Sequence, residues 1–487
     1  MEQLEKEDIQ GLLIRGYGNL HASCFLMLQF PDKQKAKKYL RTVSEKITTA
    51  EYAPDNVAFH FAFTNHGLQT IGLSKDSFES FSRQFKEGMT DEHRQEILGD
   101  YELNAPSNWE WGTSTHARID AMLLIYAKDV NALESICSEE RALLAEHETA
   151  EILCLSTNEL KNGKEHFGFQ DGISQPFIEG LSKSTNQSPE NIVRAGEFIL
   201  GYRNMYDQYT ESPDVICTDD PLEILPPKEQ TPAMKDLGKN GSYLVLRQMS
   251  QDVFAFWKYL KENSREPTST NSPLAAICLG AKMMGRWPGG APLTLSPDKD
   301  NPELRHENKF DYFKDDKEGL KCPFGAHIRR ANPRDFLQTE QSSALPKENK
   351  FTQIQSTEMI QKHRLLRRGR TYGEPVAASM DVNEIMNAQP DGKERGIHFM
   401  CFAGDLVRQF EFVQNSWVKF HKFGGLYEDS DPVIGTNRNV GDTITNSFTV
   451  QAEPIRRRYK NLPQFTRVRG GAYFFFPGIK AMKFLST

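Results

Sequence analysis

The chain is short of several things. No apolar run approaches the roughly 20 residues needed to cross a bilayer. Residues Met1 to Asp8 carry no basic n-region, apolar h-region or twin arginine, so the expectation is a cytoplasmic protein without an export signal. Paired cysteines are also missing. The seven cysteines, Cys24, Cys137, Cys154, Cys217, Cys278, Cys322 and Cys401, are odd in number, scattered and free of any CxxC. That excludes a disulfide framework and a cysteine zinc site, and suits reduced thiols. Positive charge is not in surplus: 59 Lys and Arg face 66 Asp and Glu, for a net charge of -7. Nothing here advertises nucleic-acid binding.

What remains is an ordinary globular composition, 38% hydrophobic and 26% charged, with an unusual 31 phenylalanines. A length of 487 residues exceeds one ordinary core and predicts two domains, or one fold built from two halves. Hydrophobic patterning predicts strands within 9–30, at 56–63, at 117–126 and at 151–155, with helices over 33–47 and 129–148. This β-α-β-β-α-β order fits a ferredoxin-like sandwich. A polar, Pro- and Asp-rich stretch over about 183–240 reads as a surface connection. A second series then begins at Gly241, with a helix at 250–263, strands at 396–403 and 471–477, and a helix at 405–420. The expected organisation is an α+β protein with a duplicated ferredoxin-like fold, two antiparallel sheets with helices. Its parts are an N-terminal half at 1–185, a connection at 186–240 and a C-terminal half at 241–487 with long insertions at about 265–395.

Two segments carry the chemistry. Gly168-Phe169-Gln170-Asp171-Gly172 plants a carboxylate between glycines in an apolar neighbourhood. Such an Asp is commonly a turn residue, but glycines also let a backbone approach a flat ligand closely, and a desolvated carboxylate can shuttle a proton. The second segment is Cys322-Pro323-Phe324-Gly325-Ala326-His327-Ile328-Arg329-Arg330-Ala331-Asn332-Pro333-Arg334. Its histidine is either an incidental member of a basic loop or an axial ligand of haem iron, with arginines as forked partners for the haem propionates. No CxxCH is present to attach a c-type haem covalently.

In order and wording the two segments resemble the dye-decolourising peroxidases, a family of haem enzymes. The resemblance runs from Asp8-Ile9-Gln10-Gly11 to Phe474-Phe475-Phe476-Pro477 and fits the larger members. It implies haem b held in the C-terminal half, with His327 as iron ligand and Asp171 as distal proton shuttle. The segment Arg364-Leu365-Leu366-Arg367-Arg368-Gly369-Arg370-Thr371-Tyr372-Gly373 then supplies a distal cation, Arg367, with Arg368 as the fallback. Thr371 stands where the family often has Pro. Arg329 and Arg334 are the candidate propionate partners, and Ile397 and Phe399 the apolar distal wall. Asp431, or failing it Glu411, is the carboxylate for the second nitrogen of His327.

The implied reaction is reduction of hydrogen peroxide, through a ferryl intermediate, with one-electron oxidation of small aromatic, phenolic or dye-like donors. Trp417, Tyr372 and Trp257 are conceivable electron relays. No nucleic acid and no membrane is expected as partner, and self-association is left open. Two other readings stand beside this one. The first is a haem-handling protein that carries iron or porphyrin, in the manner of a deferrochelatase. The second is a ferredoxin-like structural module without cofactor.

Overall fold

The structure is a computed structural model and describes residues 2–181, 189–264, 273–337 and 352–487. In the first half, β1 (Ala22–Gln29), β2 (Val57–Phe63), β3 (Ala121–Ala127) and β4 (Ala150–Ser156) form an antiparallel sheet in the order β2-β3-β1-β4. β3 is buried along its whole length and β1 along all but its last residue, so they read as continuous apolar runs rather than alternating ones. Helix α1 (Lys33–Ser44) starts where the Asp32 carboxylate accepts the Gln34 and Lys35 amides, and buries Ala36, Tyr39, Leu40 and Val43 at helical spacing. Helix α2 (Val130–Glu146) is capped in the same way by Asp129. The strand expected within 9–30 covers only Ala22–Gln29. Gly16-Tyr17-Gly18 interrupts it, with Tyr17 in the left-handed region at φ 50, and Gly11–Leu13 is a 3-10 turn.

The second half repeats the order. β5 (Ser242–Gln251), the broken strand β6 (Leu366–Arg367) and β7 (Arg370–Tyr372), β8 (Gly396–Ala403) and β9 (Thr466–Phe476) are arranged β9-β5-β8-β6. The fold is therefore a duplicated ferredoxin-like α+β architecture, in which each half has its own antiparallel sheet. The two sheets are not separate, however. Edge strands β2 and β9 meet antiparallel at Phe63 and Phe475, which joins these nine strands into one sheet and leaves neither edge open along that seam.

Helices α1 and α2 and the helical stretch Val407–Val418 cover one face through Tyr39, Leu40, Leu144, Phe410, Phe61 and Phe475. That last helix is wound with i→i+5 hydrogen bonds: the Glu411 amide donates to Leu406 O at 2.9 Å and the Lys419 amide to Gln414 O at 3.0 Å. Such winding is rare and concentrates at functional sites. The opposite face is covered by Ile9, Leu12 and Leu13 and by Val193, Phe198, Ile199 and Tyr202. Part of the stretch expected to run over the surface is thus a structural layer; its residues 182–188 lie outside the described residues.

Helix α3 (Val253–Asn263) departs from the repeat. It leaves the sheet and packs on the inserted helix Pro273–Met284 in a third core that also takes Phe167 and Phe169. The insertion thereby buttresses the loop that bears Asp171. Residues 265–272 and 338–351 of the insertion lie outside the described residues. Among the described residues no helix is long and apolar enough to cross a membrane.

Candidate active site

The Asp171 loop is built from its anchors outward. Glu165 is buried, and its carboxylate accepts the amides of Phe167 (2.9 Å) and Phe169 (3.0 Å) and the Gln251 side chain (2.7 Å). The Phe169 ring stacks on Trp257, whose Nε1 donates to Phe167 O at 3.1 Å. Gly168 has φ +96, and a Cβ there would lie 2.8 Å from Val382 and 2.9 Å from Ile385, so only glycine lets the loop lie against the helix Val382–Asn387. Residue 171 is thereby fixed, its amide donating to Gly163 O at 3.0 Å. Its Oδ1 accepts the Gly172 amide (2.6 Å) and Arg367 Nη1 (3.0 Å).

Arg367 comes from β6, paired opposite Cys401 of β8. Strand alternation sends its neighbour to the other face: Arg368 donates to Leu12 O and Leu13 O, which commits the fallback residue to the far layer. On β8, Ile397 and Phe399 lie two residues apart on the face that carries Cys401, and both are half-buried. Phe399 packs 6.2 Å from Phe410 in the helix-covered core.

His327 opens helix α4 (His327–Ala331), and two buried arginines lock that helix. Arg330 reaches Trp417 O (2.8 Å), Phe420 O (3.0 Å) and Asp429 O (2.6 Å). Arg329 pairs with Asp316 at 3.0 Å and donates to Cys322 O at 2.7 Å, with Tyr312, Phe324 and Phe336 rings around it. The structure therefore spends Arg329 inside the protein rather than on a ligand's carboxylate.

His327 Nδ1 stands 2.9 Å from Asp431 Oδ2, while Asp431 Oδ1 accepts the amides of Val433 and Ile434 at 2.9 and 3.0 Å. Glu411 is elsewhere, bound to Arg94 (2.7 Å) and Tyr473 (3.0 Å). Burial would depress the basicity of His327, but the Asp431 charge outweighs it and raises the histidine above its ordinary range. Asp431 is held correspondingly low. The other ring nitrogen, Nε2, has no partner among the described residues.

The Asp171, Arg367 and His327 side chains keep 49%, 29% and 26% of their surface accessible. Yet burial is the largest single influence on the titration of both Asp171 and His327. These side chains are thus partly accessible while still being desolvated by the protein around them. The groups feel one another: burial raises Asp171, but the Arg367 charge first, then the Gly172 amide and the His327 charge, favour its anion and hold it below the usual carboxylate range. A surface cleft of about 710 Å³, lined by Tyr101, Lys419, Phe420 and Arg438 among others, includes none of these residues.

Two more cations stand here. Arg334 is buried, with φ 54. It donates to Asn308 O and Phe310 O at 2.9 Å and to Ser174 Oγ at 3.4 Å, without a carboxylate partner among the described residues. Arg364, 7% exposed, was not singled out by the sequence; its Nη2 has no hydrogen-bond partner and it has no ion pair among the described residues. Burial, then the charges of Arg334 and Arg367, push it down to about 9. A buried guanidinium without an anion is costly. This cluster calls for an anionic ligand, and the two propionates of a haem beside a free imidazole Nε2 fit that demand.

No protein-family model matches the chain. A dye-decolorizing peroxidase of Mycetinis scorodonius is 28% identical over 99% of this chain and 87% of its own length. Another from Auricularia auricula-judae is 28% identical over 98% of this chain and 86% of its own. A solved dye-decolorizing peroxidase in complex with 2,6-dimethoxyphenol superposes with a TM-score of 0.76 at 24% identity, covering 99% of this chain and all of that one. Over nearly its whole length the chain is thus similar in sequence to dye-decolourising peroxidases and shares the fold of a solved one.

Proposed function

We propose that this haem peroxidase binds haem b between His327 and the Asp171–Arg367 pair, reduces hydrogen peroxide and oxidises small aromatic donors. One observation carries the reading. A carboxylate-tethered imidazole, its Nε2 without a partner among the described residues, lies close enough to an ion-paired aspartate for their charges to act on one another.

When bound, haem supplies the redox iron that peroxide chemistry requires. The rest is asked of the chain. His327 Nε2 would hold the iron, and the hydrogen bond from Nδ1 to Asp431 fixes the ring and would strengthen that donor. Arg364 and Arg334 would hold the propionates, which would offset the cost of their burial. Asp171, ionised at neutral pH, accepts a proton from one peroxide oxygen and delivers it to the other. Arg367 holds Asp171 in place through Nη1 and offsets negative charge that develops as the O–O bond opens. Ile397 and Phe399 limit water at this site.

The donor class follows from the relatives. One solved relative holds 2,6-dimethoxyphenol, and a phenol of that size is the first substrate to try here. Trp257, Tyr372 and Trp417 are all buried, so none of them is itself a surface oxidation site. The test is turnover of 2,6-dimethoxyphenol with hydrogen peroxide by haem-loaded protein. Multiple turnovers that fall sharply in Asp171→Asn support the reading. Haem binding without turnover would favour the haem-handling alternative.

A further inference from the structure

The first half contains a thiol cluster that the peroxidase reading does not use. Strands β1 and β4 and helix α2 bring Cys24, Cys137 and Cys154 together in the helix-covered core. Cys24 Sγ is 3.3 Å from Cys137 Sγ, closer than two unbonded sulfurs ordinarily pack. The β1–β4 register sets Leu26 opposite Cys154 and Cys24 opposite Ser156, which makes Cys24 and Cys154 diagonal neighbours on one face. All three thiols are free; Cys24 and Cys137 are buried, while Cys154 is only half-buried. No metal-holding group is found among the described residues.

We propose that these residues form a peroxide-reactive thiol relay, in which Cys154 is the entry thiol and a Cys24–Cys137 disulfide is the end product. In the first step the Cys154 thiolate attacks hydrogen peroxide. The S–O bond forms, the O–O bond breaks and the departing oxygen leaves as water, so that sulfur loses two electrons and peroxide gains them. In the second step Cys24 sulfur attacks the sulfenic acid, its proton leaves with the hydroxyl as water, and a Cys24–Cys154 disulfide forms. Diagonal strand neighbours lie about 7–8 Å apart, so closing this bond draws the edge strand β4 toward β1, and the resulting strain makes the bond labile. In the third step the Cys137 thiolate attacks Cys24, the mixed bond breaks and Cys154 is released and reprotonated. One peroxide and two thiols become one disulfide and two waters.

The electrostatics agree with these roles. The hydrogen bond with Cys24, the largest influence, pulls the Cys154 thiol down to about 7 against the effect of burial. The same bonding, with Cys137 first, holds Cys24 protonated, as a resolving thiol that must give its proton to a departing oxygen. Thiolate character at a half-exposed sulfur is what peroxide selects.

The test uses the full chain in the His327→Ala background, so that no haem chemistry supplies the oxidant. Excess hydrogen peroxide is added, free thiols are blocked, and peptides are mapped without reduction; a parallel sample contains dimedone. The relay predicts a Cys24–Cys137 disulfide in most chains, a dimedone adduct at Cys154, and formation slowed about tenfold or more in Cys154→Ser. Diamide should still close the bond in that variant, which shows that its core is intact. Cys24 and Cys137 remaining reduced, an adduct absent from Cys154, or wild-type rates in Cys154→Ser would each overturn it.

Discussion

Replacing Arg364 with methionine should have opposite effects on the empty and the loaded protein. Burial and two neighbouring guanidiniums hold Arg364 at about 9 against an ordinary 12.5. At about 1.4 kcal/mol per unit, that displacement costs the haem-free protein about 5 kcal/mol. Methionine fills much of the same volume without charge, so Arg364→Met should stabilise the haem-free protein by about 1–4 kcal/mol. The sign in pH is fixed as well. A cation with a depressed folded value penalises folding below that value, so the wild-type penalty eases as pH rises through about 9 and is absent from the variant. In the loaded protein the guanidinium is expected to meet a propionate, a bond of about 1.5–3 kcal/mol, and its loss should weaken haem binding roughly 10–150-fold. Urea unfolding of the haem-free forms and a haem titration followed at the Soret band measure both arms. A variant that is less stable when empty, yet binds haem as tightly as wild type, would refute the assignment of Arg364 to an anionic ligand.

Other expectations follow from the same geometry. Asp171→Asn should keep haem but slow its reaction with peroxide about 10²–10⁴-fold, and Arg367→Leu about 10²–10³-fold, in stopped-flow mixing. Because Asp171 is held below the ordinary carboxylate range, the base stays ionised in mild acid, and the acid limb of that rate should lie below that of an ordinary carboxylate. Asp431→Asn should loosen haem about 10–100-fold and raise the reduction potential of the bound iron, both readable by spectroelectrochemical titration. Burial lifts Glu165 to about 7, so its contribution to stability is full in acid and lost as pH rises through about 7. Glu165→Gln should abolish that loss, about 2–3 kcal/mol between pH 5 and pH 8 by denaturant unfolding.

The elements most legible in the sequence were those that bury a continuous run or one clear stripe. Val57–Phe63, Ala121–Ala127 and Gly396–Ala403 are strands of mostly apolar, mostly buried residues, and α1 shows its buried stripe at helical spacing. The broken strand Leu366–Arg367 and Arg370–Tyr372 was not legible, because its residues are basic and Gly369 splits it. Nor was the layer formed by Val193, Phe198, Ile199 and Tyr202, whose apolar residues follow no period and are buried only because a sheet face lies opposite. At the site, Asp171, His327 and Arg367 stood out through wording that resembles the family. The choice between Asp431 and Glu411 could not be made from the chain alone, since it depends on a contact between residues 104 apart. Arg364 was one arginine in a basic run, and only folding shows that it is buried with Nη2 unpartnered and no ion pair among the described residues. Arg329 illustrates the reverse: a cation beside the ligand histidine whose bonds are all directed into its own helix support.

The most direct measurement is the optical spectrum of the full chain reconstituted with haem, wild type beside His327→Ala, before and after one equivalent of hydrogen peroxide. The account predicts a ferric, histidine-ligated Soret spectrum in the wild type that changes within the mixing experiment and returns on addition of 2,6-dimethoxyphenol, and no stable haem spectrum in the variant. The same ferric spectrum in His327→Ala, or a wild-type Soret band that peroxide only bleaches, would contradict it.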